Sequence, residues 1–247
     1  MPAGERMTTQ VWLIWLAAAF LAGSIPFAVL IGKAKGVDIR QHGSGNPGAS
    51  NLGRTVGKKW GLICFGLDVG KGLVPTLLYA FGQSFEGQLV VESDSGFQFG
   101  TSDRRITDHL AGVAGSLQWV LVAIATVLGH IFSPWLKFRG GKGVATGLGA
   151  TLGLFPIVTI PGVIAFVIWY AVCRTTGYVG LASMIAAASL PVLTVINGLA
   201  IGLTGGEIAV FAGLTALLAA LVIVRHRGNL ARLRAGTERK AAWTGRA

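Results

Sequence analysis

Charge is what this chain has least of. Only 13% of its 247 residues are charged, about half the share of an average soluble domain, and 52% are hydrophobic. Carboxylates are the scarcer sign: ten Asp and Glu stand against 21 Lys and Arg, for a net charge of +11. So apolar a chain belongs in a bilayer. Its basicity is not that of a nucleic-acid binder, because no basic-aromatic face or nucleic-acid motif accompanies it. Loops on the positive side of a membrane account for it better. The two cysteines, Cys64 and Cys173, lie in apolar surroundings and imply neither a disulfide nor a redox compartment. The four histidines are dispersed, and no His, Cys and carboxylate cluster has ligand spacing, so no metal and no cofactor is expected. A Gly-x-Ser-x-Gly elbow is missing, and no His is followed five residues later by Asp.

What the chain has instead is long hydrophobic runs. The first, 11–31, is about long enough to span a bilayer and is followed by Lys33 and Lys35, which reads as a retained membrane helix rather than a cleaved signal. Five more apolar zones cover 60–82, 111–135, 144–173, 178–203 and 207–224. Basic residues gather after zones one, three, four and six, whereas 83–109 carries mostly carboxylates. The positive-inside rule then sets the parity. The loops holding Arg40, Lys142 and Arg174 are cytoplasmic, 83–109 is outside, and 144–173 must cross twice, with Pro161-Gly162 as the expected reversal. The expected fold is an all-α integral membrane protein of about seven transmembrane helices, N-terminus outside and C-terminus cytoplasmic, its motif loops on the cytoplasmic face. It reads as a single domain over 1–247: a core at 8–240, an outward-facing polar loop at 83–112 and a flexible tail at 241–247.

Three polar constellations interrupt the apolar runs, and the parity puts all three on one face. Gly43-Ser-Gly-Asn-Pro-Gly-Ala-Ser-Asn51, closed by Arg54, is too rich in turn residues for a regular helix. Ser44, Asn46 and Asn51 offer hydroxyl and amide groups, and Arg54 can hold an oxyanion bidentately. Gly129-His-Ile-Phe-Ser-Pro-Trp-Leu-Lys-Phe-Arg-Gly-Gly-Lys-Gly-Val-Ala-Thr146 sets Lys142 among Gly140, Gly141 and Gly143. Backbone N–H groups in such a turn, together with a helix N-terminus, can cradle phosphate. It is not a Walker A loop, since Gly143 follows Lys142. A plain Gly/Lys turn that stops a membrane helix by charge remains the alternative. The third run is Arg225-His-Arg-Gly-Asn229, continuing through Arg232 to Glu238. On a helix, His226 and Asn229 share a face; a basic tail on anionic lipid would explain the arginines but not His226, Asn229 or Glu238. A hydroxyl, Ser183, lies within an apolar segment. Asp68 and Lys71, three apart inside zone two, are expected to form a structural ion pair, and His130 to orient the Lys142 loop. Such groups suit a small phosphorylated substrate at the cytoplasmic side. A transporter of organic phosphates is the rival reading.

These motifs resemble those of the bacterial acyl-phosphate:glycerol-3-phosphate acyltransferases, the PlsY family. The match runs over roughly 23–82 and 116–240, with all three motifs in order; Ser133-Pro-Trp135 departs from the family's wording, and 83–115 looks like an insertion. The resemblance implies transfer of a fatty acyl group from acyl-phosphate to the 1-hydroxyl of glycerol 3-phosphate, giving lysophosphatidic acid and phosphate, the first step of phospholipid synthesis. It implies a multi-pass protein of the bacterial inner membrane, linked in function to the enzyme that makes acyl-phosphate, with no nucleic-acid partner. An acyl-CoA donor is open on physical grounds alone. Carried onto this chain, Ser44, Arg54 and His226 are the catalytic candidates. Gly140, Gly141, Lys142, Gly143, Asn46, Asn51, Ser183 and Asn229 are the candidates for phosphate or substrate binding. Glu238, Asp68 and Lys71 are expected to be structural. His226 is either a base or a ligand of glycerol phosphate.

Overall fold

Helices account for every regular element among the described residues, 9–86 and 112–240 of a computed structural model. In chain order they are α1 (Thr9–Ser24), α2 (Phe27–Ala34), α3 (Ala49–Thr55), α4 (Lys58–Glu86), α5 (Val113–Ile131), α6 (Val144–Gly153), α7 (Thr159–Thr176), α8 (Val179–Ala200), α9 (Gly205–Arg225) and α10 (Arg227–Arg234). Six stretches are long and apolar enough to cross a membrane: Thr9–Ala34, Lys58–Gly82, Val113–Leu136, Thr159–Thr176, Val179–Ala200 and Gly205–Arg225. Large apolar side chains on their outer faces, among them Val163, Val167, Val192, Ile196 and Leu199, are exposed, as lipid contact requires.

Three boundaries differ from the sequence reading, two of them through proline. The first zone is not one helix: Ile25–Pro26 separates α1 from α2, because Pro26 has no N–H and disfavours helix at Ile25. Zone 144–173 does divide, but at Leu154–Val158 rather than at Pro161-Gly162. Phe155-Pro156 stops α6, while Pro161 falls in the first turn of α7, where the missing N–H would have had no partner anyway. With 10 residues, α6 is about 15 Å long, half the apolar core of a bilayer. Among the described residues there are therefore six membrane-length stretches and one half-length apolar helix, set against the expected count of about seven segments. The third difference is that α4 runs on to Glu86, so the expected polar loop does not begin at residue 83. Its remainder, 87–111, and the tail 241–247 lie outside the described residues.

Glycine lets the helix pairs close. Helix α1 packs on α5, and α4 on α6. A Cβ at Gly129 would overlap the Phe20 carbonyl, and one at Gly72 the Thr146 carbonyl, so backbones touch where side chains would hold them apart. The core beside these crossings is Trp119, Tyr79, Phe211 and Val122. Trp119 donates from Nε1 to the Thr76 carbonyl at 2.9 Å and meets Phe211 edge-on, ring centroids 6.4 Å apart. Helix α9 begins in a capping box of Thr204 and Glu207, which satisfies the exposed N–H groups at its start.

Candidate active site

The first motif folds into a loop around Asn51. This side chain is 1% exposed; its amide donates to the carbonyls of Ile39 (2.8 Å) and His42 (3.1 Å), and its Oδ1 accepts from the Ser44 N–H at 3.0 Å. Asn51 is thus the brace of the loop and has no group left for a phosphate, contrary to the expectation. Ser44 stands exposed on the loop surface, its Oγ accepting weakly from the Asn46 N–H at 3.4 Å. Asn46 is half-buried, its amide beside Gly48. His42 is exposed and bonds the Asp38 carbonyl at 3.0 Å. Arg54 projects from the last turn of α3 toward the third motif: Glu238, Arg239 and Arg232 all act on its charge, and partial burial lowers its pKa.

The second motif starts where α5 ends. Its Ser133 hydroxyl donates to the Ser24 carbonyl at 2.7 Å, and the Trp135 indole to the Ser24 hydroxyl at 2.9 Å. These bonds fasten the loop to the α1–α2 break. Lys137 and Phe138 take left-handed backbone (φ 52° and 59°), which swings the chain back beneath α5. The Gly140 N–H then bonds the Ile131 carbonyl at 2.9 Å, and the Gly141 N–H the His130 carbonyl at 3.2 Å. A Cβ at Gly141 would overlap the His130 ring. Two of the expected cradle's N–H donors are therefore spent on the loop's own fold. What faces outward is Lys142 and the start of α6, whose first N–H groups have no intrahelical partners; Gly143, at φ 82°, caps it.

The third motif closes over the second. From the end of α9, Arg225 donates to the Gly140 carbonyl at 2.9 Å and the Gly141 carbonyl at 3.0 Å, so it clamps the loop. Lys142 Nζ hydrogen-bonds Asn229 Oδ1. The Asn229 amide donates to Glu238 Oε1 at 2.6 Å, and Arg232 Nε donates to Glu238 Oε2 at 2.7 Å. Lys142, Asn229, Glu238 and Arg232 form one chain of charge-assisted bonds. His226 is 3% exposed and lies with Nδ1 2.7 Å from the Val222 carbonyl. A carbonyl only accepts, so Nδ1 carries the proton and Nε2 keeps the lone pair. Burial, and then the charge of Lys142, push the His226 pKa down to about 4. Burial likewise lowers Lys142 to about 8; Glu238 opposes this, while Arg232, Arg54 and Arg225 reinforce it. One carboxylate thus faces four cations, and that imbalance suits an anionic ligand.

Behind Lys142 opens a groove between α6, α7, α8 and α9, lined from Lys142 and Gly143 down to Leu190 and Leu218. Phe65, Phe166 and Trp169 stack along one wall, with centroids 5.6–6.5 Å apart. Ser183 lines this groove with Lys142; its hydroxyl donates to the Val179 carbonyl at 2.8 Å and accepts from Trp169 Nε1 at 3.2 Å. The sequence reading passed over Trp169, Phe65 and the clamping role of Arg225. Nothing local marks an aromatic as groove wall, although Arg225 stands next to His226 in the third motif.

Asp68 and Lys71 are both buried, in the interior behind the loop. Lys71 Nζ is 2.8 Å from Asp68 Oδ1, too oblique for a hydrogen bond, and donates to the Ile25 carbonyl at 2.7 Å. His130 Nδ1 is 3.8 Å from the same Asp68 oxygen. No group of His, Cys, Asp and Glu suited to a metal occurs among the described residues. The site can bind phosphate through Lys142, Arg54 and Arg232 and seat an apolar tail in the groove. Both cysteines are buried, and the Ser183 hydroxyl is engaged, so none of these three offers an activated nucleophile.

The sequence model of the family "Glycerol-3-phosphate acyltransferase" matches residues 13–236. A glycerol-3-phosphate acyltransferase of Trichlorobacter lovleyi is 38% identical over 229 residues, 92% of this chain and 96% of that protein. One from Anaeromyxobacter is 39% identical over 241 residues, 94% and 97% of the two chains. Among solved structures, the fold is similar to PlsY, an integral membrane glycerol 3-phosphate acyltransferase. Its glycerol 3-phosphate form has a TM-score of 0.70 and 32% identity, covering 93% of this chain and 95% of that one. Its lysophosphatidic acid form has a TM-score of 0.69 and 31% identity. With six membrane-length helices and these relatives across nearly its whole length, the chain is a multi-pass membrane protein and belongs to the glycerol-3-phosphate acyltransferase family.

Proposed function

We propose that this protein transfers a fatty acyl group from acyl-phosphate to the 1-hydroxyl of glycerol 3-phosphate, releasing lysophosphatidic acid and phosphate. The observation that carries the reading is the junction at Lys142, where a cluster of cations meets the mouth of a long apolar groove. A phosphorylated lipid donor has that shape: an anionic head and an apolar tail. The acyl chain occupies the groove, and the phosphates of the two substrates are shared among Lys142, Arg54 and Arg232. Ser44 and Asn46, at the loop beside Arg54, stay candidates for substrate contact.

The reaction is a direct displacement. The glycerol hydroxyl oxygen attacks the acyl carbon, the bond from that carbon to the phosphate oxygen breaks, and phosphate departs. The mixed anhydride already has a good leaving group, so the protein supplies positioning and charge stabilisation. With a pKa near 4, His226 is a weak base. A phosphate oxygen of the substrate is the better acceptor for the hydroxyl proton, and His226 Nε2 can accept a hydrogen bond from the glycerol part. We place the motif face in the cytoplasm and the protein in the bacterial inner membrane, where soluble glycerol 3-phosphate reaches Lys142. Lysophosphatidic acid made there feeds phospholipid synthesis. Acyl-phosphate is reactive, so its producing enzyme is expected to work alongside. A transporter would carry polar groups through the membrane interior; beyond Lys142 the groove lining is apolar except for the Ser183 and Thr151 hydroxyls.

The test is phosphate release by the purified protein in lipid, with palmitoyl-phosphate and glycerol 3-phosphate. Release that needs both substrates and is lost in Lys142→Ala supports the reading. No release with acyl-phosphate, together with binding of glycerol 3-phosphate, favours the transporter, and turnover with acyl-CoA alone changes the donor.

A further inference from the structure

Helix α6 carries three glycines, and two of them explain themselves. A Cβ at Gly149 would overlap the Val69 carbonyl of α4, and one at Gly153 would stand 2.7 Å from the Thr76 side chain and 3.0 Å from the Leu73 carbonyl. Both let α6 lie against α4. Gly147 is different. A Cβ there would meet no atom within 4 Å, although Gly147 is half-buried and lines the groove. Neither packing nor a left-handed backbone calls for glycine at this position, and in mid-helix glycine is less favourable than alanine. The space a side chain would fill is that of the groove. Gly147 lies one helical turn in from Gly143, between the phosphate end and the deep end at Thr151. The facing walls are also small: Ala165, Ala186 and Ala187 line the same stretch, each at most 8% exposed.

We propose that Gly147 is a specificity-determining position whose missing side chain keeps the groove open to long acyl chains. The proposal rests on the acyltransferase reading above and adds the residue that governs donor chain length. A side chain at 147 projects into the bore at mid-depth, so methylenes beyond it lose their seat. Those before it keep theirs.

The experiment compares Gly147→Ala, Gly147→Val and Gly147→Phe with the parent, each as the full chain in lipid, on palmitoyl-phosphate and octanoyl-phosphate. The expected result is a graded fall in the palmitoyl-to-octanoyl ratio of kcat/KM. In Gly147→Phe it reaches about tenfold, the loss from roughly two methylenes no longer buried. The KM for glycerol 3-phosphate should stay at the parent's value. Gly147→Ala adds a residue that favours helix in open space, so it reports the direction even where the larger variants do not fold. A ratio unchanged across the series, or a parallel fall for both donors, overturns the proposal. A parent that turns over neither acyl-phosphate overturns the underlying reading instead, and that outcome is read before any variant is made.

Discussion

Glu238→Gln tests the charge economy of the site most directly. Glu238 is the carboxylate that opposes the lowering of the Lys142 pKa, and it reaches Lys142 through the single amide of Asn229. Two hydrogen bonds and an amide put the charges roughly 7 Å apart, where a unit pair interacts by about 1–2 kcal/mol at an effective dielectric of 20 to 40. Neutralising Glu238 should therefore lower the Lys142 pKa by about one unit. The sign is fixed: Lys142 is charged below its pKa, and its grip on phosphate is lost as pH rises through it. In the parent this falls near pH 8 for the free enzyme. The profile of kcat/KM against pH, read by phosphate release at limiting glycerol 3-phosphate, should show its alkaline limb near pH 8 in the parent and near pH 7 in Glu238→Gln. Gln keeps one oxygen to accept from the Asn229 amide, while its NH2 replaces the oxygen that accepts from Arg232 Nε, so that second bond is lost. A limb that stays in place or moves upward would refute the claim that Glu238 sustains the Lys142 charge.

Gly141→Ala should cost about 1–3 kcal/mol in overpacking against the His130 ring and displace Lys142; phosphate release and the melting temperature in detergent should both fall. Lys71→Met leaves Asp68 buried without its cation and should destabilise by about 3–5 kcal/mol, whereas Asp68→Asn with Lys71→Met should recover much of that loss in thermal unfolding. His226→Gln should raise the KM for glycerol 3-phosphate and leave measurable turnover. A near-zero rate with parental affinity would make His226 the base after all. Because His226 is neutral above about pH 4, it should impose no acidic limb on the parent's profile between about pH 5 and 7.

The sequence carried the convergence of the three motifs, because glycine, proline and cations stand out where hydrophobic runs end. It did not carry where their polar groups point. Asn51 looks like a ligand in a Gly- and Ser-rich loop, yet its partners at Ile39 and His42 are supplied by that loop's own folding. Gly140 and Gly141 look like a phosphate nest, but their N–H groups meet carbonyls of the helix just left behind. Ser183 and Trp169 pair from different helices, and Arg225 reaches a loop some 85 residues earlier. Spacing along the chain holds none of these distances. Pro156 and Pro161 carry a subtler lesson: a proline ends a helix or opens one according to which turn it falls in, and the hydrophobic pattern alone does not say which.

The break between α1 and α2 explains why ionised side chains sit inside an apolar bundle. Pro26 interrupts the helix, which leaves the Ser24 carbonyl without its helical N–H and the Ile25 carbonyl with the Phe27 N–H at 3.1 Å in place of a helical one. In the interior such groups are costly unless bonded. Lys71 takes the Ile25 carbonyl and Ser133 takes that of Ser24, while Trp135 takes the Ser24 hydroxyl. Ser133 and Trp135 belong to the Lys142 loop, and Lys71 pairs with Asp68, which also faces His130. The same break is thus satisfied by the membrane-interior ion pair and by the loop that presents Lys142. His130, with its ring against Gly141, links the pair to that loop from behind. Positioning of Lys142 therefore depends on the buried pair Asp68 and Lys71, and a change at either should reach the site through the loop.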